Sequence, residues 1–100
     1  MVEYWVCCKT MDSDLVTIAE VHARVKKIDN TLSEEKRFFR QDIINSIKQN
    51  NTWFTCFKTG EYTYEQGEKM HLFSINGDEF IRTDKNNTKS DFLRDIPDCK

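Results

Sequence analysis

The chain has little glycine, almost no proline and no dominant charge. Among its 100 residues are three glycines, one proline and two histidines. With glycine only at positions 60, 67 and 77, neither a Gly-rich phosphate loop nor a G-x-S-x-G nucleophile turn can be drawn. An H-E-x-x-H zinc motif is missing too, and neither His22 nor His71 has an evident nucleophile partner. The 17 acidic residues allow many carboxylate pairs, so no single pair points to acid–base chemistry. These absences predict a protein that is not an enzyme and carries no cofactor.

The net charge is −2, with a pI near 5.7. No global field favours duplex nucleic acid, and the charge is too small for a mimic of DNA. No apolar run approaches the roughly 18 residues of a membrane span. The N-terminus has no basic stretch followed by a long apolar one, so no signal peptide is expected. The four cysteines (Cys7, Cys8, Cys56, Cys99) form no C-x-x-C pair. Adjacent residues of a strand point to opposite faces, which separates Cys7 from Cys8. Small buried thiols in a reducing cytosol are the expectation. Zinc would need His22 or His71 to join them from distant segments, and no metal site is expected.

What is present reads as strands and one helix. Glu3 to Lys9 has apolar groups at both parities, as in a strand covered on both faces. Leu15 to Ile28 is the longest β-favouring run, and its parity changes at Ala19-Glu20, predicting a bulge. Beyond the bulge, His22, Arg24 and Lys26 share one face. Asp29 to Arg37 is polar, and Thr31 with Glu34 could be a capping box. Phe39, Ile43 and Ile47, with Ile44 beside them, have helical spacing and predict a helix over about Arg40 to Gln49, ended by Asn50-Asn51. Thr52 to Lys58 is a strand by composition, and Thr59 to Gly67 reads as a loop. The fold class that follows is α+β: a single domain over residues 1–100 with a twisted antiparallel sheet of about five strands and one packed helix. Hydrophobic content of 38% and a mean hydropathy of −0.70 are low for a core that must stand alone, so a homo-oligomer is expected.

Asn76-Gly77 between two apolar-rich runs predicts a two-residue hairpin turn. Its register sets Ile75 opposite Asp78, Phe73 opposite Phe80 and His71 opposite Arg82. Two aromatics, an imidazole and a guanidinium on one side of a ribbon could stack on a base and hold a phosphate. The polar loop that follows carries Asp84, Asn86 and Thr88. Their spacing resembles a calcium loop, yet Lys89 stands where glycine is needed and no Glu closes the site. Arg82 followed by amides and hydroxyls suits an anionic ligand, since guanidinium grips with two prongs. A structural ion pair with Asp84 is the plainer reading of the same residues.

The segment Asn76-Gly77-x-x-Phe80-Ile81-Arg82-Thr83-Asp84-x-Asn86-Asn87-Thr88-x-x-Asp91-x-Leu93-x-x-Ile96-Pro97 resembles the C-terminal signature of a family of small bacterial and phage domains of unknown function. Arg94 stands where that signature has glycine, and Asn30 to Arg37 does not align. The tail also resembles the Thoeris anti-defence sponge family of phages. Those proteins oligomerise and sequester cyclic ADP-ribose signals or cyclic oligonucleotides without cleaving them. The resemblance implies a nucleotide-binding protein of the bacterial host cytoplasm. It implies that Arg82, Asp84 and Asn86 line a pocket near a subunit interface, that Phe54 stacks on a base and that Arg24 meets a phosphate. The alternative is a protein-interaction module that inhibits a host enzyme directly, with Phe73 and Phe80 presented to the partner.

Overall fold

The computed structural model describes residues 2–61, 63–85, 88–94 and 96–99. The elements run β1 (Glu3–Met11), β2 (Ile18–Lys26), β3 (Lys36–Phe39), α1 (Arg40–Lys48), β4 (Thr52–Lys58), β5 (Tyr64–Lys69), β6 (His71–Ile75) and β7 (Asp78–Arg82). Five strands form one sheet in the order β3-β2-β1-β4-β5, and β6-β7 is a separate hairpin. The sheet is antiparallel except that β1 and β4 run parallel. Helix α1 explains that exception. It leaves the edge strand β3, crosses one face and feeds β4 in beside β1, as parallel pairing requires. The α+β expectation holds in this form: a mostly antiparallel five-stranded sheet with one helix.

The helix sets which face is the core. Ile43 and Ile44 are buried against Val6, Val21, Ala23 and Trp53. Trp53 stacks on Tyr4 with centroids 4.2 Å apart, and Phe38 meets both rings edge-on. Such ring pairs add on the order of 0.5–1.5 kcal/mol beyond area burial. The Trp53 indole N–H donates to Ser46 Oγ at 2.9 Å, so no buried donor is orphaned there. At the helix start, the Phe39 backbone N–H donates to the Asp42 carboxylate at 2.9 Å. At its end Asn50 has φ of 69°, the left-handed cap expected of it.

Three local expectations change. Phe39 is not on the buried helical stripe; it precedes the helix as the last residue of β3 and is 54% exposed, while Phe38 turns inward. The Thr31 hydroxyl caps no helix, because it donates to Asp29 Oδ1 at 2.6 Å within a turn. The stretch read as a loop up to Gly67 contains most of β5, which pairs with β4 because Gly67 lets the two backbones come close. A Cβ at Gly67 would lie 2.9 Å from the Thr55 carbonyl oxygen. The bulge at Ala19 is present: Thr10 pairs with Glu20 and Met11 with Ile18, leaving Ala19 as the extra residue.

The hairpin has the predicted register throughout, His71 to Arg82 included. Asn76 and Gly77 both have positive φ, at 54° and 88°. After it the tail folds back through the core. The Asp91 carboxylate accepts from the backbone N–H groups of Ile18 and Ile81, each at 2.8 Å, and from the Arg40 guanidinium at 2.7 and 3.1 Å. Leu93 and Ile96 complete the apolar cluster.

Two substitutions test these backbone constraints by urea unfolding. Gly67→Ala should cost about 1–3 kcal/mol, because the extra methyl forces β5 away from Thr55. Gly77→Val should cost roughly 1–3 kcal/mol through its positive φ alone, since nothing lies within 4 Å of the added Cβ. An unchanged midpoint in either variant would contradict the assignment.

Candidate functional site

The sheet face opposite the helix carries the site. Residues paired across strands share a face. Lys69, Phe54, Trp5 and Arg24 therefore form a row across β5, β4, β1 and β2. Arg24 and Trp5 form part of the wall of a cleft of about 710 Å³. Lys58, Glu61, Thr63 and Tyr64 close one side of it, and the segment Asn30 to Leu32 the other. The Arg24 guanidinium lies 5.2 Å from the Tyr64 ring centroid. It donates to the Ser33 carbonyl at 3.1 Å and pairs with Glu35 at 3.5 Å. Its Nε is buried and has no hydrogen-bond partner among the described residues. Burial acts against its charge, but Tyr64, Cys7 and Glu35 outweigh that and raise its pKa, so it stays cationic.

The basic row His22, Arg24 and Lys26 lies on this face as the parity of β2 requires. Each cation has an acid beside it. His22 Nδ1 is 2.7 Å from Glu35 Oε1, and Lys26 Nζ is 3.8 Å from Glu3 while lying 5.2 Å from the Trp5 ring centroid.

Of the residues expected to bind a ligand, the structure brings Arg24 and Phe54 to the same face, on either side of Trp5. Arg24 lines the cleft and Phe54 does not. Arg82 stands apart from them. It is 5% exposed and its guanidinium is held inside the tail: Nε and Nη2 donate to the Asp84 carboxylate at 2.6 and 2.8 Å, and Nη1 donates to the Ser90 carbonyl and hydroxyl. The Phe92 ring covers it at 5.2 Å. Arg82 and Asp84 thus pair with each other inside the tail, as the plainer reading of these residues has it. Thr88 is exposed, and its carbonyl accepts from the Ser90 N–H. His71 is half-buried and packs edge-on near Phe73 at 6.4 Å. Asn86 lies outside the described residues. Phe80 is buried, so the hairpin does not offer the expected pair of rings to a partner.

The cysteines also depart from the expectation of four thiols. Cys8 and Cys99 form a disulfide with Cα atoms 5.0 Å apart, joining β1 to the tail. Cys7 and Cys56 are free, with their sulfurs 3.8 Å apart. The register shift between Val6 and Cys8 explains why the neighbours do not alternate simply: this bulge sets Cys8 opposite His22 while Cys7 reaches Cys56 on β4. The Cys56 hydrogen bond, aided by Arg24, pulls the Cys7 pKa from 9.0 down to about 7 against burial and the Glu35 charge. The Cys56 pKa is pushed up, because its proton bridges to Cys7 and its site is buried.

Compared with protein-family models, with curated proteins and with solved structures, the chain matches none. Among the described residues, no helix is long and apolar enough to cross a membrane.

The Cys7 assignment predicts a pH profile. Its folded pKa is depressed, so its contribution to stability is present above pH 9.0 and lost as pH falls through about 7. The alkylation rate of Cys7 should rise with a midpoint near pH 7, and Cys56→Ala should move that midpoint up toward 9.0. Mass spectrometry of the modified peptide reads both; a midpoint that ignores Cys56→Ala contradicts the assignment.

Proposed function

We propose that the protein captures a nucleotide-type ligand, an aromatic ring system bearing a phosphate, and holds it without chemistry. One observation carries this reading: Arg24, Lys58, Tyr64 and Trp5 meet on one cleft of about 710 Å³. That volume falls in the range of small-molecule sites, and the lining has the mixed character such sites need. Tyr64 supplies a face for a base, and Trp5 an apolar wall. Arg24 and Lys58 supply the cations. Capture requires only a pocket and stoichiometry, which suits a chain without a legible catalytic set. The likeness of the tail to phage sponges supports a cyclic nucleotide or cyclic ADP-ribose signal in a bacterial host cytoplasm. In that reading the tail signature builds the scaffold, and the ligand sits on the opposite side of the sheet from the helix. A homo-oligomer belongs to the same proposal, because β3 and β5 are the two edges of the sheet.

The second reading, direct inhibition of a host protein, is favoured by one observation. Leu15, Ile28, Phe39 and Phe57 are exposed apolar side chains.

Incubation with a mixture of signalling nucleotides, then filtration, heat release and mass spectrometry, separates the two. Capture predicts recovery of one intact nucleotide. Arg24→Ala removes a charged donor worth roughly 1.5–3 kcal/mol, so binding should weaken at least about tenfold. Tyr64→Ala removes a stacking face worth on the order of 1–3 kcal/mol. Thr88→Ala should bind as the parent does. No recovered nucleotide, or full binding by Arg24→Ala, contradicts the proposal.

A further inference from the structure

Among the described residues, Cys8, Cys99 and His22 form the one group of three metal-ligating side chains that meets. Their two sulfurs and a ring nitrogen all lie within 4.8 Å of one another. We propose that, once its disulfide is reduced, this cluster is a zinc site that takes the place of the covalent clasp. The inference is independent of the nucleotide-capture reading.

Three features of the structure support it. First, two thiolates and an imidazole are the donors that zinc prefers, and three such donors with a fourth position open are a recurring zinc arrangement. Ligands at about 2.0–2.3 Å from the ion stand somewhat under 4 Å apart, so small side-chain rotations suffice. Second, His22 already has the outer partner that metal-bound imidazoles use. Its Nδ1 is 2.7 Å from Glu35 Oε1, which fixes the ring and leaves the other nitrogen to the metal. Third, the tail is held against β1 without the disulfide. The Lys9 N–H donates to the Pro97 carbonyl at 3.0 Å and the Cys99 N–H to the Lys9 carbonyl at 2.7 Å. Lys9 Nζ donates to the Ile96 carbonyl at 2.7 Å and pairs with Asp98 at 3.5 Å. Reduction therefore leaves Cys99 beside Cys8, and Cys8 stays opposite His22 through the β1–β2 register. The ligands are preassembled by backbone hydrogen bonds on both sides.

The chemistry balances with a monothiol such as glutathione as reductant. Two monothiol molecules supply two electrons and two protons, leave as their own disulfide, and convert the Cys8–Cys99 bond to two thiols. Zinc then displaces the two thiol protons to solvent and binds two thiolates and neutral His22. Water occupies the fourth position, next to a cleft of about 400 Å³ that His22 lines with Glu35, Lys36 and Arg37.

The test uses the full chain with zinc itself, and with cobalt(II) as a visible probe, after reduction by a phosphine that is then removed. Reduced protein should bind one equivalent of either ion per chain, read by native mass spectrometry and by cobalt–thiolate charge-transfer absorption. Oxidised protein should show no such absorption. Cys8→Ser should abolish the band, and Cys7→Ser and Cys56→Ser should keep it. Glu35→Gln, which leaves the three ligands in place, should weaken zinc about 10- to 100-fold, as loss of an outer-shell partner does. Far-UV circular dichroism confirms that each variant is folded. Absence of a thiolate band in the folded, reduced protein would overturn the proposal. So would binding that survives Cys8→Ser, or that is lost in Cys7→Ser instead.

Discussion

A carboxylate with no exposed surface sits where four segments of the chain meet. The Asp91 side chain is 0% exposed and ties the start of β2, the first residue of α1, the turn-distal part of β7 at Ile81 and the tail into one node. Its own backbone N–H donates to the Val16 carbonyl. Burying an ion is costly unless it is paired and its lone pairs are used. Here each oxygen takes a backbone donor and a guanidinium N–H, so the site meets that condition. Arg40 extends the node, since it also donates to the Glu79 carbonyl. The node seats the start of the tail against β2 and β7, from which Leu93 and Ile96 enter the core.

That dependence explains why the tail invited a functional reading. Asp, Asn, Thr and Arg crowded after a strand look alike whether they hold a ligand or hold the backbone. The distinction depends on what lies opposite, which local patterning does not contain. Asp91 is 51 positions from Arg40 and 73 from Ile18. The nearer pair, Arg82 with Asp84, was legible as an ion pair, and the structure buries it. The Asn-Gly turn and the helix with its Asn50 cap were legible because each rests on local φ preferences or short-period patterning. The short β3 and the glycine-bearing β5 were not, because their pairing depends on partners far along the chain.

The outer face was half legible. Parity on β2 brought His22, Arg24 and Lys26 together, and Arg24 does line the cleft. Tyr64 and Lys58 were missed as wall residues, because the chain between them reads as loop. Trp5 was missed because its strand is apolar at both parities. The disulfide was missed for two reasons. Its partners are 91 residues apart, and the bulge at Cys7 breaks the simple alternation used to separate the two neighbouring cysteines. The same bulge sets Cys8 beside His22. One local irregularity thus creates both the thiol pair and the His-Cys cluster.

The buried Asp91–Arg40 pair anchors the polar tail as scaffold against the sheet. A double-mutant cycle of Arg40→Ala and Asp91→Ala, read by urea unfolding, tests it most directly. Removing one partner of a buried pair should cost about 3–5 kcal/mol, and the double variant should cost far less than the two losses added together. A loss under about 1 kcal/mol for Asp91→Ala, with strictly additive effects, would contradict the claim.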